Sequence, residues 1–264
     1  MKIQACNLSL YSKMYSFKSS VSNSSPKIFQ DKLPNPRLYV DYNNPAVDWD
    51  TKDKLREEYS DKLFQVCFGQ DKKIDPRVTE FLDTTEFEIE TKNGSIKKMT
   101  VGEALQDSIS EVFPYSGTLY HATGALETSQ KILKEGFDPL KIARTKIGPG
   151  IYCTGSEGHA IEYSTAMVKF EYSGNCANVE SEFYERIKKG EVLGAICDFV
   201  GMDTSTYPFG SDAYQVAGKM LDEYVRNYFV KELNIDMVEG RTGYCERSTA
   251  IFNFDKVSNL RIKD

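Results

Sequence analysis

The sequence predicts an α+β fold. Short apolar runs with strand-like alternation are interleaved with helical patterns of unequal length, and neither a regular strand–helix–strand spacing nor an internal repeat is visible. At 264 residues the chain is long enough to bury a sizeable core without covalent staples. We therefore expect split antiparallel sheets with flanking helices.

Composition argues against a membrane span, a need for disulfides and a nucleic-acid partner. Hydrophobic residues make up 40% of the chain, yet no apolar run approaches the roughly 20 residues that span a bilayer, which predicts a soluble protein without a membrane span. The six cysteines include no CxxC pair, so nothing requires disulfides. The net charge of −6 divides into +5 for residues 2–37 and −11 for the remainder, so we expect no nucleic-acid partner for the acidic body.

Residues 1–36 are predicted to form a flexible leader. They are rich in serine, carry no acidic residue before Asp31, and lack the periodic apolar residues that would offset the entropy of ordering. This composition is typical of an unstructured tail or of a leader read by an export machinery, and it loosely fits an organelle transit peptide.

Residues 37–115 predict a mostly helical subdomain with one β-hairpin. Thr51 is a candidate cap for a helix that would end at Gly69. Further on, Asn93 and Gly94 form a two-residue turn between two runs of alternating polarity, which favours a hairpin.

A second helix of this subdomain is predicted from a capping box. Thr100 and Glu103 have the required spacing, and an apolar pattern that includes Ile109 and Val112 follows them. We expect the subdomain to pack on the part of the chain that follows it, and we find no recognisable chemistry in it.

Residues 116–264 carry the chemically distinctive patterns. An apolar strand over residues 118–123 contains His121, one of only two histidines in the chain. A short helix is predicted from Thr128 to Glu135, where Gly136 stops it, and residues 137–146 are predicted to form a loop.

A glycine-bracketed second strand follows over residues 148–154 and carries Tyr152. The helix predicted after it runs from residue 156 to about residue 168 and contains His159 and Tyr163. We interpret His159 as a structural residue. The elements predicted beyond this helix are a polar helix near residues 180–188, a strand over 192–200, a long amphipathic helix capped by Asp212, and closing strands at 235–238 and 250–254.

The order of these motifs resembles the ADP-ribosyltransferase superfamily, specifically its poly(ADP-ribose) polymerase and diphtheria-toxin-like (His-Tyr) branch. That branch has His-Gly-Thr on a first strand, Gly-x-Gly-Ile-Tyr on a second, and a further tyrosine on the next helix. Here the corresponding residues are His121-Ala122-Thr123, a Gly-Pro-Gly-Ile-Tyr run that ends at Tyr152, and Tyr163. The resemblance implies the family's split-sheet fold and NAD as co-substrate.

The resemblance also implies a role for each residue of the motif. His121 would hydrogen-bond ribose hydroxyls, and the backbone of Ala122, where the family has glycine, would hold the nicotinamide amide. Thr123 would supply a nearby hydroxyl. Tyr152 would stack on the nicotinamide ring, with Tyr163 on its other face. The rival interpretation of each side chain is ordinary packing, since the chain contains 16 tyrosines.

The third catalytic position departs from the family. Related enzymes have a glutamate about five residues before an aromatic–aspartate pair. Counting back from the pair at Phe254 places Ala250 there, with Thr249 beside it. Glu246 on the preceding loop is the candidate replacement, and a solvated loop charge is its rival interpretation. Branches of the family without the acid transfer one ADP-ribose or are inactive, so chain elongation is not expected.

The sequence thus predicts an NAD-dependent mono-ADP-ribosyltransferase with a protein acceptor, acting as an effector or toxin in the cytoplasm or after delivery into a host cell. Two alternatives keep the same pocket: a catalytically degenerate NAD or ADP-ribose binding module, and an NAD glycohydrolase. No metal-ligand spacing, dinucleotide fingerprint or nucleophile elbow is present. A related RNA 2′-phosphotransferase would need several cations near its site, and the segment directly before the second strand offers only Arg144 and Lys146.

Overall fold

A computed structural model describes residues 27–36, 44–141, 147–180, 182–206, 208–241 and 247–263. It has an α+β fold, as the sequence predicts. The helices are α1 Trp49–Phe68, α2 Pro76–Thr84, α3 Val101–Asp107, α4 Leu126–Glu135, α5 Glu157–Tyr163, α6 Phe183–Ile187, α7 Leu193–Val200 and α8 Phe209–Asn227. The strands are β1 Phe87–Glu90, β2 Ile96–Met99, β3 Ile109–Ala122, β4 Ile151–Cys153, β5 Met167–Val179, β6 Met237–Arg241, β7 Arg247–Ile251 and β8 Val257–Ile262. The π-helical turns Lys188–Val192 and Tyr228–Glu232 follow α6 and α8.

Six strands form one sheet with the order β3-β5-β6-β7-β4, and β8 pairs with β5. Every pairing is antiparallel except that of β5 with β6. An isolated bridge between Tyr120 and Thr154 connects β3 to the end of β4. Because of this bridge, the strand that carries His121 lies beside the strand that carries Tyr152.

The sheet separates two hydrophobic cores. The larger core packs the helices on one face, and it draws on Leu63 of α1, Leu105 of α3, Val225 of α8 and Val238 of β6. The smaller core lies on the other face. Its buried residues are Leu119, Ile151, Cys153, Val168, Phe170, Tyr172, Cys176, Met237 and Ile251. Residues on both sides of position 115 therefore contribute to one continuous core.

Helix α1 begins three residues earlier than its sequence pattern suggested. Asp48 is the cap and accepts hydrogen bonds from Thr51 N at 2.9 Å and Thr51 Oγ1 at 2.7 Å. The predicted cap at Thr51 is therefore wrong, since Asp48 caps the helix three residues upstream and Thr51 lies in the first turn. The predicted end at Gly69 is confirmed: its φ of 62° is a conformation that glycine adopts without strain.

The predicted hairpin and capping box are both confirmed. β1 pairs with β2, but the connection is longer than the predicted two residues, because Thr91 N donates to Ser95 O and residues 92–94 form the loop. Thr100 and Glu103 exchange the two capping hydrogen bonds at the start of α3. The continuation of this helix through Ile109 and Val112 is wrong. Both residues belong to β3, where pairing with β5 supplies the backbone hydrogen bonds that a helix would otherwise provide.

Two further elements differ from the sequence prediction. The predicted strand over 192–200 is helical and includes α7, because a short, continuously apolar run is compatible with a buried helix as well as with a strand. The predicted helix over 156–168 is α5 and ends at Tyr163. Its cap Ser164 is extended, and the chain then enters β5.

The C-terminal elements also shift. α8 begins at Phe209, so Asp212 lies in its first turn and is not its cap. The closing strands are β6 and β7, both displaced from the predicted positions, and β8 was not predicted at all. Within the described ranges, no helix is long and apolar enough to cross a membrane.

Candidate functional site

A cleft of about 1210 Å³ opens where β3 ends and β4 begins. Its walls come from α4 and the segment after it, the C-terminal end of α8, residues 71–73 and residues 252–255. His121, Ala122, Thr123 and Tyr152 all line it. Its size is sufficient for a ligand of dinucleotide dimensions.

His121 lies near the end of β3 and is joined directly to β4. Its Nδ1 is 2.7 Å from the carbonyl oxygen of Tyr152. A carbonyl only accepts, so Nδ1 carries the proton and donates, and in the neutral ring Nε2 is left with a lone pair that can accept. The ring of Phe137 meets the imidazole edge-on, with the ring centroids 5.7 Å apart. Burial lowers the pKa of His121, which favours this neutral form.

Tyr152 is held by its neighbours on both sides. It pairs with Ala250 of β7, its hydroxyl donates to Gly148 O at 3.2 Å, and its ring packs on the larger core. Gly148 has a φ of 115°, a conformation that favours glycine. At Gly150 a Cβ would lie 2.7 Å from the carbonyl oxygen of Ile251. The glycines therefore allow the chain to pass closely along β7 and under the cleft.

Thr123 differs from its expected role. Its Oγ1 lies 2.9 Å from Ala125 O, 2.7 Å from Ser129 Oγ and 3.0 Å from Ala166 O. A hydroxyl has one proton, so these protein partners already engage it. We conclude that Thr123 fixes the start of α4 against the strand end, which is a positioning role at the rim of the cleft.

Tyr163 and His159 lie on α5, and neither is among the residues that line the cleft. Tyr163 is 72% exposed. The structure thus brings together His121, Ala122, Thr123 and Tyr152, and it places Tyr163 outside this group.

The third motif position lies on the neighbouring strand. Ala250 of β7 faces Tyr152 across the β4–β7 ladder and is fully buried. It packs against Gly150, where an added Cβ would come within 2.9 Å of the Cβ of Ala250. A carboxylate therefore has no room at this position. Glu246 lies outside the described residues.

Two charged residues of the cleft were not predicted from the sequence. Glu223 and Arg226 lie three residues apart on α8 and both line the cleft. Glu223 accepts a hydrogen bond from Ile74 N at 3.1 Å, and burial raises the pKa of its carboxyl group. The sequence feature that could have identified Arg226 is its position directly after Val225, on the apolar face of the amphipathic helix pattern.

Among the described residues, the charges that line the cleft are balanced in number. Six are cationic: Lys72, Lys73, Lys131, Lys141, Arg226 and Lys231. Six are acidic: Asp71, Glu127, Glu135, Asp138, Glu223 and Asp255. Most of these cations come from other elements than the loop before β4: α4, the end of α8 with the turn after it, and residues 71–73. Arg144 and Lys146 lie outside the described residues. No protein-family model matches this sequence, and no curated protein matches it significantly.

Proposed function

We propose that this protein is an NAD-dependent ADP-ribosyltransferase that transfers a single ADP-ribose to a protein acceptor. The observation that carries the proposal is the link between the two motif strands: His121 Nδ1 and Tyr152 O are 2.7 Å apart, and both residues line one large cleft. Residues 31 positions apart in sequence thus form one site in the order that the ADP-ribosyltransferase resemblance requires. The family's split-sheet arrangement is part of this proposal.

The chemistry of the transfer suits these groups. Cleavage of the nicotinamide–ribose bond passes through a cation-like ribose, so the site must orient the dinucleotide before charge develops. A neutral His121 offers Nε2 as an acceptor for a ribose hydroxyl and adds no positive charge that would oppose the developing cation. Tyr152 offers an aromatic ring for the nicotinamide, and stacking of this kind contributes about 0.5 to 1.5 kcal/mol beyond burial.

The absence of an acid at position 250 favours single transfer over chain elongation. Position 250 lies on the strand beside Tyr152, which is where the resemblance expects its glutamate, but the residue is a fully buried alanine. We assign the carboxylate role to Glu246, which precedes β7 in sequence. The protein acceptor, the effector role and the site of action in a cytoplasm or host cell remain parts of the proposal.

A second candidate function is a binding module that holds NAD or ADP-ribose without turnover. The burial of Ala250 favours it, because a cleft without a carboxylate near the ribose can bind the dinucleotide and yet stabilise the cation poorly. NAD hydrolysis without a protein acceptor is a third outcome of the same geometry.

Incubation with NAD labelled on the adenylate separates these functions. The wild-type protein, His121→Gln and Glu246→Gln are each incubated with labelled NAD, alone and with a cell lysate, and free nicotinamide and labelled protein are measured. A transferase gives both products, and each variant lowers both. A glycohydrolase gives nicotinamide without labelled protein. A binding module gives neither product while still binding NAD, and that result would refute the transferase.

A further inference from the structure

Arg226 is an arginine buried in the wall of the cleft. It lies near the end of α8, lines the cleft, and is only 6% exposed. A guanidinium carries five N–H donors and stays charged at any physiological pH, so its burial is costly unless other groups satisfy it.

The partners of Arg226 within the described part of the chain are too few for such burial. Its one hydrogen bond runs from Nη1 to Pro149 O at a long 3.4 Å, and it forms no ion pair there. Asp222 and Glu223 act on it electrostatically and oppose the effect of burial, and each accepts a hydrogen bond from another donor: Asp222 from the hydroxyl of Tyr184, and Glu223 from Ile74 N. Burial lowers the pKa of Arg226, as expected for a charge with little solvation.

The position of Arg226 places it beside one of the two motif strands of the proposed site. Its contact Pro149 stands between the two glycines that precede Tyr152, so the guanidinium borders the segment that carries this ring. Such a planar fork, desolvated and short of acceptors, suits an anionic ligand group with several oxygens.

We propose that Arg226 forms an anion subsite of the cleft that receives a phosphoryl group of the ligand. If the ligand is NAD, the group is its diphosphate; this identification rests on the proposed function, whereas the anion subsite itself does not. The competing interpretation is a structural counter-charge for Asp222 and Glu223. A structural role would weaken every ligand alike, whereas an anion subsite acts only on ligands that carry phosphate.

The test is a set of titrations with NAD, inorganic pyrophosphate and nicotinamide at one fixed salt concentration. The wild-type protein, Arg226→Gln, Arg226→Lys and the control Lys231→Gln are compared by calorimetry. Lys231 is an exposed cation that lines the same cleft. For Arg226→Gln we expect NAD and pyrophosphate to bind about 10- to 100-fold more weakly, with nicotinamide unchanged. Lys231→Gln should change each affinity by less than about threefold.

Several results would overturn the subsite. One is that the wild type binds NAD and folded Arg226→Gln binds both NAD and pyrophosphate as tightly as the wild type does. Another is an equal loss for all three ligands, which indicates a structural role. If Arg226→Gln does not fold, Arg226→Lys decides, because it keeps the positive charge and changes only the donors: an equal loss for all three ligands overturns the subsite, whereas a loss confined to NAD and pyrophosphate, or no loss, supports it.

The two proposals fail separately. Pyrophosphate binding that depends on Arg226, in a protein that does not bind NAD, would sustain the anion subsite and refute the transferase. A wild-type protein that binds neither NAD nor pyrophosphate would refute both.

Discussion

At the scale of single residues, the protonation of His121 is central. Its Nδ1 proton is committed to Tyr152 O, and burial lowers its pKa from the usual value of 6.5. A depressed pKa in the folded state means that the unfolded chain takes up a proton first as the pH falls. Stability from this residue is therefore complete above pH 6.5 and is lost progressively as the pH falls from there through the folded pKa.

We therefore predict that the unfolding free energy of His121→Gln falls less steeply with decreasing pH than that of the wild type. The slope removed should be at most about 1.4 kcal/mol per pH unit, the value for one proton. Urea unfolding between pH 7.5 and pH 4.5 measures it. His159→Gln is the matched control, since that variant retains the slope that His121 contributes. Identical slopes in the wild type and His121→Gln would contradict the assignment.

A second residue-scale prediction separates the ring of Tyr152 from its hydroxyl. Tyr152→Phe keeps the aromatic face and loses only the bond to Gly148 O, so NAD affinity should hold while stability falls by about 0.5 to 1.5 kcal/mol. Tyr152→Leu removes the face and should cost about 1 to 3 kcal/mol of NAD affinity. Calorimetry on both folded variants measures their NAD affinities. Equal NAD affinities of Tyr152→Leu and Tyr152→Phe would mean that the ring does not stack on the ligand.

At the scale of elements, local chemistry fixed the boundaries that could be predicted. Neighbouring residues determine the backbone geometry at these helix ends, so the sequence pattern predicts them. The examples are the capping box of Thr100 and Glu103 at the start of α3, and the glycines Gly69 and Gly136 that end α1 and α4. The failures have another cause. Ile109 and Val112 continue the helical pattern of α3, yet both lie on β3, because pairing with β5 holds this segment extended. Such pairings are not encoded locally.

The residues of the candidate site also divide into those that local sequence predicts and those that only packing brings there. His121 and Tyr152 were predictable because short motifs position them, and the structure places both at one cleft. Arg226 was not, since its burial beside the glycine-bracketed strand results from the packing of α8, where its one hydrogen bond to the described residues is that to Pro149 O.

The packing of β4 on β7 yields an element-scale prediction. An alanine at position 150 would put its Cβ 2.7 Å from Ile251 O and 2.9 Å from Phe252 Cδ1, so the strands must separate. Gly150→Ala should lose about 1 to 3 kcal/mol of stability and most of the nicotinamide release. Gly155→Ala, where nothing lies within 4 Å of the added Cβ, should change stability by less than about 0.5 kcal/mol. Comparable losses in both variants would contradict the packing.

At the scale of the whole molecule, α1 is tied to α8. Arg56 donates from Nε and Nη2 to the carboxylate of Asp212, which is 5% exposed, and Leu63 of α1 shares a core with Val225 of α8. The sequence suggested a subdomain boundary at residue 115. A shared core of this kind should couple the two parts in unfolding.

We expect one cooperative unfolding transition, with coincident fluorescence and circular dichroism curves. Arg56→Met leaves Asp212 buried beside a lost partner and should lower the unfolding free energy by about 1 to 3 kcal/mol without splitting the transition. Lys62→Met removes an exposed ion pair on the same helix and should cost less than about 1 kcal/mol. Two separate transitions would show that the parts fold independently.

The most direct test of the proposed NAD site uses the two histidines of the chain as probes. In protein labelled with ¹⁵N-histidine, long-range proton–nitrogen spectra should show His121 as a neutral ring protonated on Nδ1, with His159→Gln providing the assignment. Addition of NAD should shift the Nε2 resonance of His121 and leave His159 in place. If no His121 resonance moves at millimolar NAD, or if only His159 responds, NAD does not bind beside His121 and the proposed site is wrong.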